Sequence, residues 1–147
     1  MSPTRDNDAP LPEHTRPATT DDATVAAVGK LSEALETVER ARGRLYDFHQ
    51  LTGSADLALG EAVDELRDAG HADLADRIET ELVGRNVISG RWTFQVVEEY
   101  DDGYYALFRA LEQTVREELL DGRRHIYEAE MKEARRTHGR PGHEPHP

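Results

Sequence analysis

The stretch DDATVAAVGKLSEALETVERARGRLYDFHQLT, residues 21–52, decides the fold that the sequence predicts. Six of its residues are spaced three, four or seven positions apart, and we call them the seam: Val28, Leu31, Leu35, Val38, Leu45 and Thr52. Side chains at this spacing line one face of an α-helix. Arg42, four positions after Val38, is the charged residue that falls on the same helix face. We therefore predict a helix over about residues 21–51 that packs inside a bundle and ends at Gly53.

Two shorter helices are predicted after it, over residues 55–69 and 72–83. The first places four apolar residues on one face, and the second does the same with Leu74, Ala75, Ile78 and Leu82. Gly70 and Gly84 directly follow the last periodic residue of each helix. Glycine at that position is typical of a helix end.

The rest of the chain predicts one long final helix over residues 102–136. Its apolar side chains keep helical spacing at Tyr104, Phe108, Leu111, Val115, Leu119 and Ile126. The preceding residues 91–100 contain Trp-Thr-Phe-Gln-Val-Val, which is β-prone. We favour a helix there too, because no second strand-like run exists to pair with it.

These patterns predict an all-α protein, an antiparallel bundle of three to five helices in a single domain of residues 21–136. Residues 1–20 hold four prolines and no sustained apolar run, and residues 137–147 contain no apolar side chain that can pack. We expect both ends to be disordered tails, since burial there cannot offset the loss of conformational entropy.

The composition excludes several classes of function. The 147 residues include 18 basic and 30 acidic side chains, a net charge of −12, with no basic stripe to neutralise phosphates. We therefore expect no nucleic-acid partner and no attachment to anionic membranes. No run of roughly 18 apolar residues exists, so we expect a cytoplasmic protein. The absence of cysteine excludes disulfides, thiolate metal sites and cysteine nucleophiles.

The aromatic-rich segment 84–105 is the candidate functional surface. It holds the only Trp and three of the five Tyr, beside four carboxylates and two arginines. An up-down arrangement of helices brings this segment against the end of the first helix, so His49 is expected to face residues 92–104. The residues we predict for this surface are His49, Arg85, Arg91, Trp92, Glu98, Asp101 and Tyr104.

Two interpretations of its acidic run, Glu98-Glu99-Tyr100-Asp101-Asp102, remain open. On a helix, Glu98 and Asp101 share a face, where two carboxylates suit a hard cation or an acid–base pair. Alternatively, the acids solvate the outer face or favour a helix N-terminus near Asp102. Asp101 lies on the apolar stripe, and a carboxylate turned inward there needs a partner such as Arg85, Arg91 or His49.

His125 and Glu128 also share a helix face and form half of a candidate metal site. A di-iron bundle needs Glu-x-x-His on two helices together with two further glutamates. The sequence contains no Glu-x-x-His and a single His-x-x-Glu. Ferritin-like chemistry is therefore not expected.

Another pair of motifs, Glu36-Thr37-Val38-Glu39 and Glu61-Ala62-Val63-Asp64, resembles the helical NTP pyrophosphatases of the MazG type. Those enzymes bind magnesium through Glu-x-x-Glu on one helix and Glu-x-x-Asp on the next. The resemblance covers about a third of the chain, and it implies that the metal ligands are Glu36, Glu39, Glu61 and Asp64.

Two function classes follow from the sequence. The first is a non-enzymatic interaction protein without a cofactor, which forms a homodimer or binds another protein, because exposed Trp and Tyr near Arg are typical of binding hot spots. The alternative is a small metal-dependent hydrolase or ligand-binding bundle that uses Mg²⁺ or Mn²⁺.

Overall fold

The computed structural model describes residues 8–146, and that range is built of helices. We number them α1 (Asp22–Asp68), α2 (Ala72–Glu81), α3 (Thr93–Tyr100), α4 (Ala106–Leu120) and α5 (Ile126–Arg135). A 3-10 turn at Pro12–His14 precedes α1, and a π turn at Asp101–Tyr105 joins α3 to α4. The predicted all-α class is confirmed. No helix in the described range has the length and apolar content needed to cross a membrane.

The helix end predicted at Gly53 is wrong, because α1 continues without a break to Asp68. A glycine ends a helix by adopting positive φ, and Gly70 and Gly84 do so with φ of 90° and 70°. Gly53 stays helical, at a cost of about 1 kcal/mol relative to alanine. Packing beyond it offsets that cost, since Val63 is buried on the following turns.

Of the two predictions for the rest of the chain, the helix over residues 91–100 is confirmed and the single helix over residues 102–136 is wrong. Residues 93–100 form α3 rather than a strand, as predicted. The single helix predicted over 102–136 is wrong, because the chain turns between α4 and α5. Asp121 and His125 both adopt left-handed backbone, with φ of 52° and 56°, and Gly122 lies between them with φ of 74°. An Asp-Gly pair favours such a turn over helix continuation.

The π turn changes which side chains of α4 are buried. It places an extra residue in one turn of the helix. Beyond it, two buried positions directly follow predicted ones, while Val115 keeps its predicted place against the core. Glu112 and Leu120 are buried, whereas Leu111 and Leu119, the residues that the apolar pattern predicted as core, are exposed. Before the turn, Val97 is buried as the pattern predicts, whereas Phe94, three positions earlier on the same face, is exposed.

The chain divides into two compact units, and α1 contributes to both. The terminal unit comprises Met1–Thr37 with Leu107–Pro147, and the central unit is Val38–Ala106. The terminal unit has a core of four buried apolar side chains, with Val115 packed against them: Val25, Val28, Leu120 and Ile126. The buried apolar residues of the central unit are Val63, Ala75 and Val97.

The predicted disordered tails fall partly outside the described residues, at positions 1–7 and 147. Their described parts make defined contacts within the terminal unit. Arg16 forms a bidentate pair with Glu130, at 2.6 and 2.9 Å. The Arg136 side chain is fully buried and pairs with both Asp8, at 2.9 Å, and Glu133, at 2.6 Å.

Candidate functional site

In the central unit, α1 runs antiparallel to the α3 and π-turn segment, and three side-chain contacts fix the register. His49 Nδ1 lies 2.7 Å from Thr93 Oγ1. Further back along α1, Arg42 binds Asp101, and the Tyr105 hydroxyl donates a 2.6 Å hydrogen bond to Glu39. We call these three pairs the ladder. The predicted proximity of His49 to residues 92–104 is confirmed.

Arg42 of α1 binds the Asp101 carboxylate in the ladder. Arg42 Nε and Nη2 each donate a 3.0 Å hydrogen bond to one carboxylate oxygen of Asp101. The Arg42 guanidinium also lies over the rings of Tyr46 and Tyr105, at 5.4 and 6.0 Å from the ring centroids. The prediction that Arg85, Arg91 or His49 is the partner of Asp101 is therefore wrong: the partner is Arg42, the charged residue on the seam face of α1.

This pairing shifts both groups towards their charged forms. The hydrogen bonds from Arg42 hold the pKa of Asp101 below its usual range, and Asp101 in turn raises the pKa of Arg42. A general acid or base at neutral pH needs the opposite shift, towards neutrality. Asp101 is thus ionised at neutral pH, as the partner of Arg42 in an ion pair.

We expect the Asp101→Asn variant to lose stability at pH 7, and the difference from the wild type to narrow at pH 3, below the ordinary pKa of an aspartate. A carboxylate whose folded pKa is depressed stabilises the fold above its unfolded pKa, and that contribution disappears as pH falls through the folded pKa. Urea denaturation followed by circular dichroism at pH 7, 5 and 3 measures the gap. Asp102→Asn, at an exposed neighbouring carboxylate, is the control. A gap that persists unchanged at pH 3 contradicts the assignment.

The loop before α3 presents Trp92 in a fixed position. Gly84 N donates to Asp56 Oδ1 on α1 at 2.9 Å, which ties the start of the loop down. The Trp92 indole donates a 2.9 Å hydrogen bond to Asn86, and Trp92 N donates to Gln95 Oε1 at 3.0 Å. The indole ring nevertheless remains exposed, with its residue 56% accessible. Its tilted contact with Phe94, at 5.5 Å between centroids, forms an aromatic ridge.

Beside the ridge lies an open cavity of about 760 Å³, which we call the aromatic groove. One wall is α1, through Thr52, Ala55, Asp56 and Leu59. The other wall is the α2–α3 connection, through Leu82, Arg85, Val87, Trp92 and Phe94. Arg85 is thereby placed at the groove.

The remaining predicted residues are engaged separately. Arg91 forms an ion pair with Glu99, and Tyr104 contacts Tyr100 with ring centroids 5.9 Å apart. Glu98 is exposed. Asp101 is bound by Arg42 and His49 contacts Thr93, and within residues 8–146 neither side chain belongs to a metal-ligating group with Glu98.

The four carboxylates of the MazG-type resemblance are not brought together. Both motifs lie on the single helix α1, and Glu39 is separated from Glu61 by roughly 33 Å at 1.5 Å per residue. The resemblance requires two helices that face each other, which the unbroken α1 does not provide. Glu39 is instead the acceptor of the Tyr105 hydroxyl.

A different metal-ligating set lies in the terminal unit. Glu36 of α1 meets His125 and Glu128, and one ligand atom from each lies within 4.8 Å of the other two. The His-x-x-Glu spacing indicated half of this set. Glu36 is 89 positions away in sequence from His125, so no local pattern pointed to it.

Comparison with known protein families, with curated proteins and with solved structures finds no match for this chain.

Proposed function

We propose that this protein is a non-enzymatic, self-associating helical module, and that a second copy docks on the aromatic groove. The observation that carries the proposal is Trp92, which is held by hydrogen bonds yet leaves its ring exposed beside a cavity. A rigid aromatic loses little entropy on binding and buries a large apolar area, so it is typical of an interface hot spot.

The groove offers the apolar content that an interface core requires. Leu82, Val87, Trp92 and Phe94 all line it and are all exposed in the single chain. A stable interface buries about 800 Å² on each partner, with apolar and aromatic residues at its centre. At about 25 cal/mol per Å² of apolar surface, covering these side chains supplies a substantial driving force.

A second copy is the occupant that the groove's own shape favours. A two-fold interface uses the same patch on both partners, so that patch must contain both a projection and the recess that receives it. The Trp92–Phe94 ridge and the aromatic groove are adjacent in one unit. The ridge of each copy therefore has a recess of the other copy to enter.

Trp92→Ala is expected to weaken the dimer by about 100-fold or more. Hot-spot truncation costs about 2 kcal/mol. A two-fold interface contains the residue twice, so the total of about 4 kcal/mol exceeds the roughly 2.8 kcal/mol that equals a factor of 100. Light scattering over a concentration series measures the mass. Leu74→Ala is the control, because Leu74 is as exposed (57%) but does not line the groove.

The salt dependence provides a second measurement. Each chain carries a net charge of −12, so two copies repel each other, and added salt screens that repulsion. We expect dimerisation to strengthen with NaCl. A wild-type chain that stays monomeric at high concentration and high salt overturns self-association, as does a Trp92→Ala dimer as tight as the wild type.

A further inference from the structure

We propose that Glu36, His125 and Glu128 form a binding site for one divalent first-row transition metal ion. The proposal does not rest on self-association, because all three residues belong to the terminal unit, whereas the aromatic groove belongs to the central unit. It also differs from the magnesium site implied by the MazG-type motifs, since it takes Glu36 alone from those four carboxylates.

The ligand geometry fits a single ion. One carboxylate oxygen each from Glu36 and Glu128 and one ring nitrogen of His125 lie within 4.8 Å of one another. Zn²⁺ bonds of about 2.0–2.2 Å separate two ligand atoms by at most about 4.4 Å. A small side-chain rotation closes the difference, and Glu36, which is exposed, makes that rotation at little cost.

Two features of the backbone position the ligands: the turn before α5 and the close approach of α5 to α1. His125 follows the Asp121–Gly122 turn and directly precedes Ile126, which is buried in the terminal core. Glu128 comes within the first turn of α5, so its position follows from that of Ile126. Gly29 allows α5 to approach α1 closely, because a β-carbon built there would lie 2.8 Å from Tyr127 Cβ. This approach brings Glu128 next to Glu36.

Charge balance points to a cation at this position. The carboxylates of Glu36 and Glu128 face each other, and neither forms an ion pair with a Lys or Arg among residues 8–146. Lys30, which lies near them on α1, pairs instead with Glu33 at 3.3 Å. Two adjacent carboxylates without a positive partner repel each other. A bound divalent ion removes that repulsion and is coordinated by both.

The donor set selects the class of metal. Mg²⁺, Ca²⁺ and Mn²⁺ prefer oxygen ligands, whereas imidazole nitrogen suits Fe²⁺, Ni²⁺, Cu²⁺ and Zn²⁺. Three protein ligands leave at least one coordination position open. An open cavity of about 390 Å³, lined in part by Glu36, Glu128 and Lys30, adjoins the ligands and gives solvent access to that position.

Titration of the full chain with Co²⁺ and Zn²⁺ tests the site. We expect one ion to bind per chain, with visible Co²⁺ absorption bands that indicate nitrogen and oxygen ligands. Zn²⁺ affinity, measured by calorimetry, should fall at least tenfold in Glu36→Gln and in His125→Asn. Both residues are exposed, so circular dichroism should show unchanged folding of each variant without metal.

The histidines near the C-terminus are the competing site and set the control. A triple variant, His138→Asn with His143→Asn and His146→Asn, should keep the Co²⁺ spectrum and the Zn²⁺ affinity. His71→Asn should do the same. The proposal is overturned if the triple variant abolishes binding, or if Glu36→Gln binds both ions as tightly as the wild type.

Discussion

The Arg116→Met variant is expected to lose about 3–5 kcal/mol of unfolding free energy, because it leaves a buried charge without its partner. Glu112 is 6% exposed and accepts hydrogen bonds from Arg116 Nε, at 2.7 Å, and from Ser32 Oγ, at 3.1 Å. Methionine retains much of the aliphatic volume of arginine but donates no hydrogen bond. The buried carboxylate then keeps one neutral donor, Ser32 Oγ. Urea denaturation followed by circular dichroism measures the loss.

Two further variants separate this effect from a general cost of removing arginine. Arg77→Met removes an exposed ion pair with Glu81 on α2, and we expect little change, since such pairs contribute little. Replacing Glu112 and Arg116 together by apolar residues should recover much of the loss, because no buried charge remains. If Arg116→Met is as mild as Arg77→Met, the Glu112 carboxylate does not depend on this pair.

Leu120→Ala is expected to lower the free energy of unfolding by about 2–5 kcal/mol, as is typical of truncating a buried leucine. Leu120 is 2% exposed and packs in the core of the terminal unit with Val25, Val28 and Ile126. Alanine removes three carbon atoms and leaves a cavity that the surrounding helices fill only in part. Thermal and urea denaturation both report the change.

The neighbouring leucine provides a matched control. Leu119 is 47% exposed, so Leu119→Ala should cost less than about 1 kcal/mol. The apolar pattern of the sequence predicts the reverse order, because it places Leu119 in the seam. The comparison therefore tests whether the π turn displaces the buried face of α4. Equal losses at the two positions contradict the burial described above.

Local patterns in the sequence were sufficient for the class of fold and for several helix boundaries. Gly70 follows the end of α1 with positive φ, as expected, whereas α2 ends at Glu81, three residues before Gly84. Gly53 has the same local sequence signals but stays helical, since tertiary packing of the residues after it decides the outcome. The π turn was not foreseeable, because the helical pattern continues through residues 101–105 without a break.

Contacts of the candidate site that follow from the order and direction of the helices were predicted from the sequence. Contacts that depend on how two helices are aligned along their lengths were missed. Antiparallel helices necessarily bring His49 near the start of α3. Which arginine meets Asp101 depends on the alignment of two helices to within one turn, and the sequence alone does not determine that alignment. The pairing of Glu36 with His125 and Glu128 similarly requires the close approach of α5 to α1 at Gly29.

The ladder joins two chain segments that have different numbers of residues between the same contacts. Along α1 its contacts fall at residues 39, 42 and 49, whereas their partners fall at 105, 101 and 93. Each interval is one residue longer on the partner side. A π turn covers less axial distance per residue than an α-helix, so the interval from Asp101 to Tyr105 matches the shorter one from Glu39 to Arg42. The contact between Tyr105 and Glu39 thus depends on the number of residues in the π turn as well as on the side chains that form it.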